Sequence, residues 1–339
     1  MSALRGLFGG AFQILHGLAA TLLLLVALFG GLYVYQNHWS EWAELPVIRE
    51  ITGNYRLGLA AIGGLSEQTV QQFLTLEESS GAAKKVRHRL PGQIAVSWSA
   101  ETILDKLQFS KAKTRQARYF TDYIDRHAAD AMRDMLFSKV PASIKLAQAL
   151  LESRAGRSDL AKATNNHFGI KARPGRSARE KIRAGRIEKL YDREFLPVAP
   201  AVGAFRFHDD HTYDRFETYH NVADSYERHS QLLSRKCTPG RIGCYSWIWE
   251  AFPPGKHYDI RQAARQYLPA SGIAPEQFYG GETYVPYYAA CAAGLKMAGY
   301  ATSPTYHKKI TYLIETYELW RFDLDLLQQL EDHPELFNH

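Results

Sequence analysis

The sequence predicts a predominantly helical protein preceded by one N-terminal transmembrane helix. Three observations support this prediction: an apolar N-terminal segment without charged side chains, a helical repeat of apolar residues over residues 115–137, and an apolar helix that begins at Pro141. Apolar positions at three- and four-residue spacing are typical of a helix that buries one face. We therefore expect a membrane anchor at one end and a helical core in the middle of the chain.

The N-terminal segment is long and apolar enough to cross a bilayer. Residues 7–35 contain no Asp, Glu, Lys or Arg, and residues 18–34 read LAATLLLLVALFGGLYV. Arg5 precedes this segment and Glu41 and Glu44 follow it, which favours an N-terminus in the cytoplasm. A cleaved signal peptide is the alternative, but the run is longer than a usual signal core and no Ala-x-Ala site ends it. The favoured interpretation is an uncleaved, single-pass anchor over residues 1–37.

The composition and charge of the chain limit the kinds of partner that it is expected to bind. The net charge is +6 and the isoelectric point is about 9.0, a mild excess that suits an anionic wall or membrane surface. No zinc finger, phosphate loop or ordered basic helix supports binding of nucleic acid. The spacing of His208, His211, His220 and His229 is not that of a metal site, so we expect neither a metal nor a cofactor.

The chain divides into four predicted regions. Residues 1–37 are predicted to form the anchor, residues 38–115 a juxtamembrane linker, residues 116–325 the main domain and residues 326–339 a C-terminal tail. Within the linker, residues 57–76 are predicted to form an amphipathic helix, and residues 77–92 a polar link with the basic run KKVRHR. That run is either a solvated surface or a contact with lipid headgroups or wall phosphates.

The helix that begins at Pro141 carries the most informative side chain. Proline suits a first helical position, and Ile144, Ala147 and Leu150 then build one apolar stripe. Glu152 follows that stripe near the helix end, before a stop expected at Gly156. Partial burial and the negative end of the helix dipole both disfavour a carboxylate there, so both raise its pKa. A raised pKa is what a general acid needs in order to hold a proton near neutral pH.

At this point the chain resembles a known family. Residues 142–171 read ASIKLAQALLESRAGRSDLAKATNNHFGIK, similar to the Leu-Glu-Ser helix and Asn-Asn-x-Phe-Gly-Ile-Lys turn of the bacterial glucosaminidase-type peptidoglycan hydrolases, glycoside hydrolase family 73. The resemblance continues through AFRF at 204–207 and YERH at 226–229. It resumes at AAGLKMAGYAT, residues 292–302, followed by Tyr306 and a closing helix over residues 310–320. Three ordered blocks are far more specific than one short motif.

The resemblance implies a glycoside hydrolase of the endo-beta-N-acetylglucosaminidase type, with a lysozyme-like α+β fold and a small β-hairpin lobe. Its substrate would be the glycan strands of peptidoglycan, outside a bacterial cytoplasmic membrane on the periplasmic or extracellular side. Glu152 matches the family's general acid. Glu194 is the best match for the second acidic residue on the hairpin, with Glu188 and Asp192 close by. The candidate substrate-binding residues are Tyr300, Asn166, Phe168, Ser153 and Tyr306.

The mechanism and the exact activity stay open at this point. Two carboxylates about 5 Å apart favour a retaining route and about 6.5–9.5 Å an inverting one, while the substrate's own N-acetyl group offers a third route. A muramidase or lytic transglycosylase is the alternative enzyme, since these also place a helix-borne glutamate on a lysozyme-like fold. A non-catalytic wall-binding scaffold is the alternative from another class.

The chain departs from the family pattern over residues 237–287. This insertion contains Cys237 and Cys244 around a Pro-Gly pair, followed by the aromatic stretch YSWIW. Two cysteines this close are candidates for a disulfide, which an oxidising exterior permits. Trp247 and Trp249 either extend a sugar groove or pack the insertion, and packing is favoured. Cys291 is expected to be a small buried residue.

Overall fold

The computed structural model describes residues 57–58, 65–76, 96–107, 111–209 and 211–333. These residues form a mostly helical α+β fold with small antiparallel sheets, as the sequence predicted. The helices are α1 (Glu67–Thr75), α2 (Ala100–Lys106), α3 (Lys111–Ser138), α4 (Ala142–Ser153), α5 (Asp159–Thr164), α6 (Arg176–Arg183), α7 (Val222–Leu233), α8 (Ser246–Ala251), α9 (Arg261–Ser271), α10 (Tyr287–Met297), α11 (Tyr306–Thr316) and α12 (Trp320–Asp332).

The strands are short and pair in sequence order. They are β1 (Arg173–Pro174), β2 (Phe195–Leu196), β3 (Gly203–Arg206), β4 (Arg215–Thr218), β5 (His257–Asp259) and β6 (Tyr284–Pro286). The antiparallel pairs are β1 with β2, β3 with β4, and β5 with β6.

Helix α4 is the centre of the core. Every residue from 142 to 150 is buried, and the helix packs against α3, α10, α11 and α12. A helix buried on all sides needs partners for its polar side chains as well as apolar contacts. Lys145 has such partners: its ammonium group pairs with Asp134 of α3 and bonds the Ser230 hydroxyl and the Tyr226 carbonyl of α7.

The first turn of α4 is capped by a distant residue. Pro141 occupies the cap position and offers no side-chain hydrogen bond. Asp323 of α12, which is fully buried, accepts a hydrogen bond from the Ser143 amide at 2.9 Å and bonds the hydroxyls of Ser143 and Tyr287. A carboxylate at a helix N-terminus satisfies unpaired amides and complements the helix dipole. Helix α12 therefore fixes the start of the helix that carries Glu152.

Residues 172–218 form a separate β lobe with its own small core. Ala172, Ala178, Leu190 and Phe195 are buried together in it. Glu217 of β4 is completely buried and pairs with Arg228 of α7 at 3.0 Å, while Tyr219 donates a hydrogen bond to the same carboxylate at 2.8 Å. A buried charge needs such partners, and this pair connects the lobe to the helical body.

The insertion over residues 237–287 is folded around aromatic side chains. Cys237 and Cys244 form a disulfide with a Cα–Cα distance of 5.6 Å. Trp249 is buried and donates its indole N–H to the Leu233 carbonyl at 3.0 Å, and Trp247 stacks on Tyr267 with ring centroids 5.1 Å apart. Trp249 therefore packs inside the insertion, whereas Trp247 packs on Tyr267 and stays half-buried.

Several element boundaries differ from the sequence predictions. The helix predicted over residues 115–137 spans Lys111–Ser138, and its Tyr119 side chain is 40% exposed. The closing helix is two helices, α11 and α12, because Glu318 adopts φ 48° between them. The segment expected to be a C-terminal tail begins inside α12, where Leu326, Leu327 and Leu330 are buried.

Most of the predictions for the N-terminal third of the chain fall on residues that the structure does not describe. The predicted anchor over residues 1–37 and the basic run at 84–89 lie outside the described residues, as do residues 59–64 of the predicted linker helix. In the described part of that prediction the helix is shorter: α1 spans Glu67–Thr75, residues 57–58 and 65–66 are not helical, and Phe73 is buried in the core. Within the described ranges, no helix is long and apolar enough to cross a membrane.

Candidate active site

The predicted acid lies where α4 stops abruptly. The helix ends at Ser153, and Arg154, Ala155 and Gly156 follow with φ of 55°, 56° and 74°, so the stop precedes the predicted glycine. Two non-glycine residues in the left-handed region are uncommon and need support from their surroundings. The Ser153 hydroxyl gives that support by accepting a hydrogen bond from the Gly156 amide at 2.8 Å and donating one to the Ala149 carbonyl at 2.6 Å.

Glu152 is exposed as a residue, yet its carboxyl group is closely surrounded by protein atoms. Burial raises its pKa to about 7, and a hydrogen bond from Tyr306 and the positive charge of Lys309 oppose a further rise. The negative end of the α4 dipole acts in the same direction as burial. Near neutral pH a large fraction of Glu152 therefore carries a proton, which is the state that a general acid requires.

Tyr306 and Gln148 orient the Glu152 carboxyl group. Gln148 lies one helical turn before Glu152 and is fully buried, and its side-chain amide donates a hydrogen bond to the Tyr306 hydroxyl oxygen at 2.9 Å. Because that oxygen is already an acceptor, its own proton is available for Glu152. The three side chains form a chain of hydrogen bonds from the core of the protein to the acid.

Tyr300, His229 and Phe168 form an aromatic layer next to this group. The Tyr300 ring lies 5.5 Å from the Tyr306 ring, and its hydroxyl lies 3.0 Å from His229 Nε2. His229 is fully buried and stacks on Phe168 with ring centroids 3.9 Å apart. Burial lowers the pKa of His229, so the imidazole is neutral near pH 7. The structure thus brings Glu152, Tyr306, Tyr300 and Phe168 together.

The Asn-Asn-x-Phe-Gly-Ile-Lys turn is held by Asn166. This side chain is buried, donates to the carbonyls of Ile170 and Glu217 at 2.9 Å each, and accepts from the Ile170 amide at 3.0 Å. These bonds fix the turn that positions Phe168 and join it to strand β4. Contact of Asn166 with substrate stays a prediction, because the bonds that the structure shows are within the protein.

Ser153 has a similar supporting position. It is buried beneath the left-handed turn, next to Tyr123, whose hydroxyl lies 2.6 Å from His167 Nδ1. A side chain at Gly156 would meet the His167 ring at 3.1 Å, so this turn packs closely on the Tyr123–His167 pair. Contact of Ser153 with a sugar also stays a prediction.

Glu194 lies in the β lobe, and its carboxylate accepts hydrogen bonds from neighbouring residues of that lobe. It ends a 3-10 turn, Asp192–Glu194, directly before β2, and is not part of a regular hairpin strand. Lys181 donates to its carboxylate at 2.7 Å, Ser177 at 2.5 Å and the Tyr191 amide at 3.0 Å. These hydrogen bonds, that of Lys181 first, lower the pKa of Glu194 to about 2. It is therefore ionised near neutral pH, and a catalytic role for it stays a prediction.

Other candidate sites in the described residues are few. No group of three or more His, Cys, Asp or Glu side chains there is arranged to hold a metal ion. A cavity of about 210 Å³ lies between α3 and α7 and includes none of the predicted site residues. Its lining is mostly polar and includes Asp130, Arg133, Asp134, Asp224, Tyr226 and Glu227.

Three residues of the site were not identified from the sequence: Gln148, His229 and Lys309. The position of Gln148 four residues before Glu152 was a usable signal, because residues at this spacing share one helix face. His229 ends the YERH block of the family resemblance, a signal that marks the residue without showing its contact with Tyr300. Lys309 gave no signal, since its role depends on a contact with a distant part of the chain.

The sequence matches the model of a known protein family. Residues 128–319, more than half of the chain, match the model of the glucosaminidase family, described as mannosyl-glycoprotein endo-beta-N-acetylglucosaminidase. The chain is 25% identical over 228 residues to the exo-glucosaminidase LytG of Bacillus subtilis (strain 168). The match covers 66% of this chain, and the chain spans about 60% of the length of this curated relative.

Solved structures of two bacterial proteins are also similar. The catalytic domain of the autolysin Auto from Listeria monocytogenes matches with 21% identity and a TM-score of 0.35, over 63% of this chain and 98% of that domain. The glycoside hydrolase domain of FlgJ from Salmonella typhimurium matches with 20% identity and a TM-score of 0.28, over 64% of this chain and 91% of that domain.

Proposed function

Because the chain belongs to the glucosaminidase family of glycoside hydrolases, we propose that it cleaves the N-acetylglucosaminyl bond of bacterial wall glycan with Glu152 as general acid. The observation that carries the proposal is the pKa of Glu152, about 7, beside the tyrosines 300 and 306. The related LytG is named an exo-glucosaminidase, and we infer that this chain acts on the same kind of bond within a lysozyme-like fold.

The proposed chemistry begins with one proton transfer. Glu152 gives its proton to the glycosidic oxygen as the bond to the anomeric carbon breaks, so the leaving sugar departs as an alcohol. Water then supplies a hydroxyl group to the anomeric carbon and a proton that restores Glu152. Tyr300 offers a ring on which a sugar can stack. Glu194, as an ionised carboxylate, is the proposed partner that activates water or orients the substrate's N-acetyl group.

Digestion of purified sacculi tests the proposal. We expect wild-type protein to release glycan fragments with reducing N-acetylglucosamine ends, and Glu152→Gln to lose at least about a hundredfold in rate while still binding sacculi. Glu250→Gln, a change at an exposed glutamate of α8, is the matched control and should digest normally.

The products and the variant separate the alternatives. Reducing N-acetylmuramic acid identifies a muramidase, and an anhydro-muramic end identifies a lytic transglycosylase. If the wild type binds sacculi without releasing fragments, and Glu152→Gln behaves identically, the protein is a wall-binding scaffold. Normal digestion by Glu152→Gln would remove Glu152 from its proposed role.

We also propose that residues 1–37 anchor this hydrolase in the bacterial cytoplasmic membrane, with the catalytic domain on the periplasmic or extracellular side. Support comes from the uncharged apolar segment and from the position of wall glycan on that side of the membrane. Membrane fractionation of cells, followed by protease treatment of spheroplasts, tests both parts. Recovery of the full chain in the soluble fraction would contradict the anchor.

A further inference from the structure

The β lobe carries a short segment that is rich in positive charge. Between positions 173 and 193 there are eight basic and three acidic residues, so this short segment accounts for most of the net charge of +6. The basic residues are Arg173, Arg176, Arg179, Lys181, Arg183, Arg186, Lys189 and Arg193. Such a density creates a local positive potential on this segment, whereas the remainder of the lobe, residues 194–218, contains two basic and five acidic residues.

Three of these arginines lie on one exposed face of helix α6. On α6, Arg176, Arg179 and Arg183 are exposed and follow a spacing of three and four residues, so they share one face of the helix. The opposite face of α6 packs Ala178 and Ile182 on the core of the lobe. We name the exposed row Arg176, Arg179 and Arg183 the arginine stripe.

Most of these basic side chains are not neutralised by a close ion pair within the described part of the protein. Arg176 makes a solvent-exposed pair with Glu180 at 3.2 Å, which contributes little. Arg183, Arg186 and Lys189 have no ion pair with any other residue in the part of the chain that the structure describes. Lys181 alone of the α6 cations turns inward, toward Glu194.

The same lobe exposes large apolar side chains. Half of the exposed large hydrophobic residues among those described lie within positions 191–205: Tyr191, Leu196, Val198, Val202 and Phe205, each at least 38% exposed. Leu196 is the strand partner of Arg173, and the Tyr191 ring lies 5.0 Å from the Arg193 guanidinium group. Arg173 and Arg193 are therefore neighbours of exposed apolar side chains on this lobe. The start of α6, where the arginine stripe begins, also lies next to Leu196, because a side chain at Gly175 would meet Leu196 Cγ at 3.6 Å.

We infer that this face of the β lobe is a peripheral membrane-binding surface that takes anionic phospholipid headgroups. Arginines near an anionic bilayer are attracted to its headgroups, and neighbouring apolar and aromatic side chains enter the interface. A soluble polyanion would use the arginines and leave Leu196 and Tyr191 in water, so a bilayer accounts for both features. The inference depends neither on the catalytic role of Glu152 nor on the proposed N-terminal anchor.

A nitroxide label on the lobe tests the inference in the full-length protein. Leu196→Cys receives the label, and Leu268→Cys, at a 40% exposed position on α9, is the reference. Cys291 is fully buried and Cys237 and Cys244 are joined, so the introduced thiol is the accessible one among the described residues. The protein is mixed with nanodiscs of phosphatidylcholine alone or of phosphatidylcholine and phosphatidylglycerol, and collisions of the label with oxygen and with a water-soluble nickel chelate are measured.

We expect the label at position 196 to become oxygen-accessible and shielded from nickel only in the anionic nanodiscs, while the label at position 268 stays aqueous in both. Replacing the arginine stripe by glutamine should lower the ratio of docked to undocked lobe by about a hundredfold, since each cation contributes about a fivefold preference. The control variant removes three exposed charges elsewhere and should dock normally: Lys236→Gln, Arg241→Gln and Arg265→Gln.

Three results would overturn the inference. One is an aqueous label at position 196 in anionic nanodiscs, with circular dichroism showing a folded protein. Another is an equal loss of docking in the stripe variant and the control variant, which would indicate a response to net charge alone. The third is stripe-dependent binding of soluble polyphosphate without shielding of the label, which would identify a polyanion site in place of a lipid surface.

Discussion

The hydrogen bond from Tyr306 to Glu152 gives a quantitative prediction for Tyr306→Phe. This bond lowers the pKa of Glu152, so its loss leaves burial less opposed and the pKa rises above its value of about 7. A hydrogen bond to a charged group contributes about 1.5–3 kcal/mol, and solvent access to Glu152 favours the lower limit. That limit corresponds to about one pH unit. The variant should hold its catalytic proton to about pH 8.

The assay is the pH dependence of sacculus digestion at low substrate concentration, which reports the ionisation of the free enzyme. A general acid must be protonated, so wild-type activity should fall as pH rises through about 7. The alkaline limb of Tyr306→Phe should lie about one pH unit higher, with a lower maximum because the carboxyl group loses its orienting partner.

The control is Tyr258→Phe, which removes a tyrosine hydroxyl that donates to the Pro253 carbonyl at 2.8 Å. Its alkaline limb should coincide with that of the wild type. The reasoning is refuted if the limb of Tyr306→Phe stays in place or moves to lower pH, because either result means that Tyr306 does not stabilise the ionised form of Glu152.

Two further predictions concern Glu194 and Asp323. Glu194→Gln should reduce digestion at least about a hundredfold if this carboxylate takes part in the chemistry, whereas Lys181→Met, which breaks the same ion pair but keeps the carboxylate, should have a much smaller effect. Equal losses in the two variants would make Glu194 an anchor of the lobe. Burial raises the pKa of Asp323 from 3.8 to about 6, so the stability that it contributes is complete below about pH 4 and is lost as pH rises through about 6. Urea unfolding at pH 4 and pH 7 should show wild type losing about 3 kcal/mol more than Asp323→Asn over this interval, and parallel losses would contradict the assignment.

The sequence was most informative where the signal is local. The repeat of Ile144, Ala147 and Leu150 predicted a helix with one buried face, although the structure buries α4 on all sides. The position of Glu152 at the end of this helix predicted a raised pKa, because that effect depends on residues within a few turns. The aromatic residues Tyr300 and Tyr306 were identified through family resemblance, and the structure places them beside Glu152.

Contacts between residues that are far apart in sequence could not be predicted from local patterns. Gln148 bonds Tyr306 across 158 positions, and Ser143 bonds Asp323 across 180. No periodicity or motif links residues so far apart, since their contact follows from the packing of whole helices. Glu194 shows the same limit at short range: the register of strands only two residues long depends on the lobe's small core, so its 3-10 turn was not predicted.

The dependence of α4 on Asp323 has a consequence for how the enzyme is made. The amide of Ser143 finds its acceptor in the last helix of the described chain, which is synthesised long after Glu152. A growing chain that has passed position 153 therefore holds its acid on a helix whose start is incomplete. Only when α12 has been made does the Ser143 amide acquire its acceptor, so the start of α4 is completed by nearly the last part of the described chain to be synthesised. A chain truncated before Asp323 would lack that acceptor.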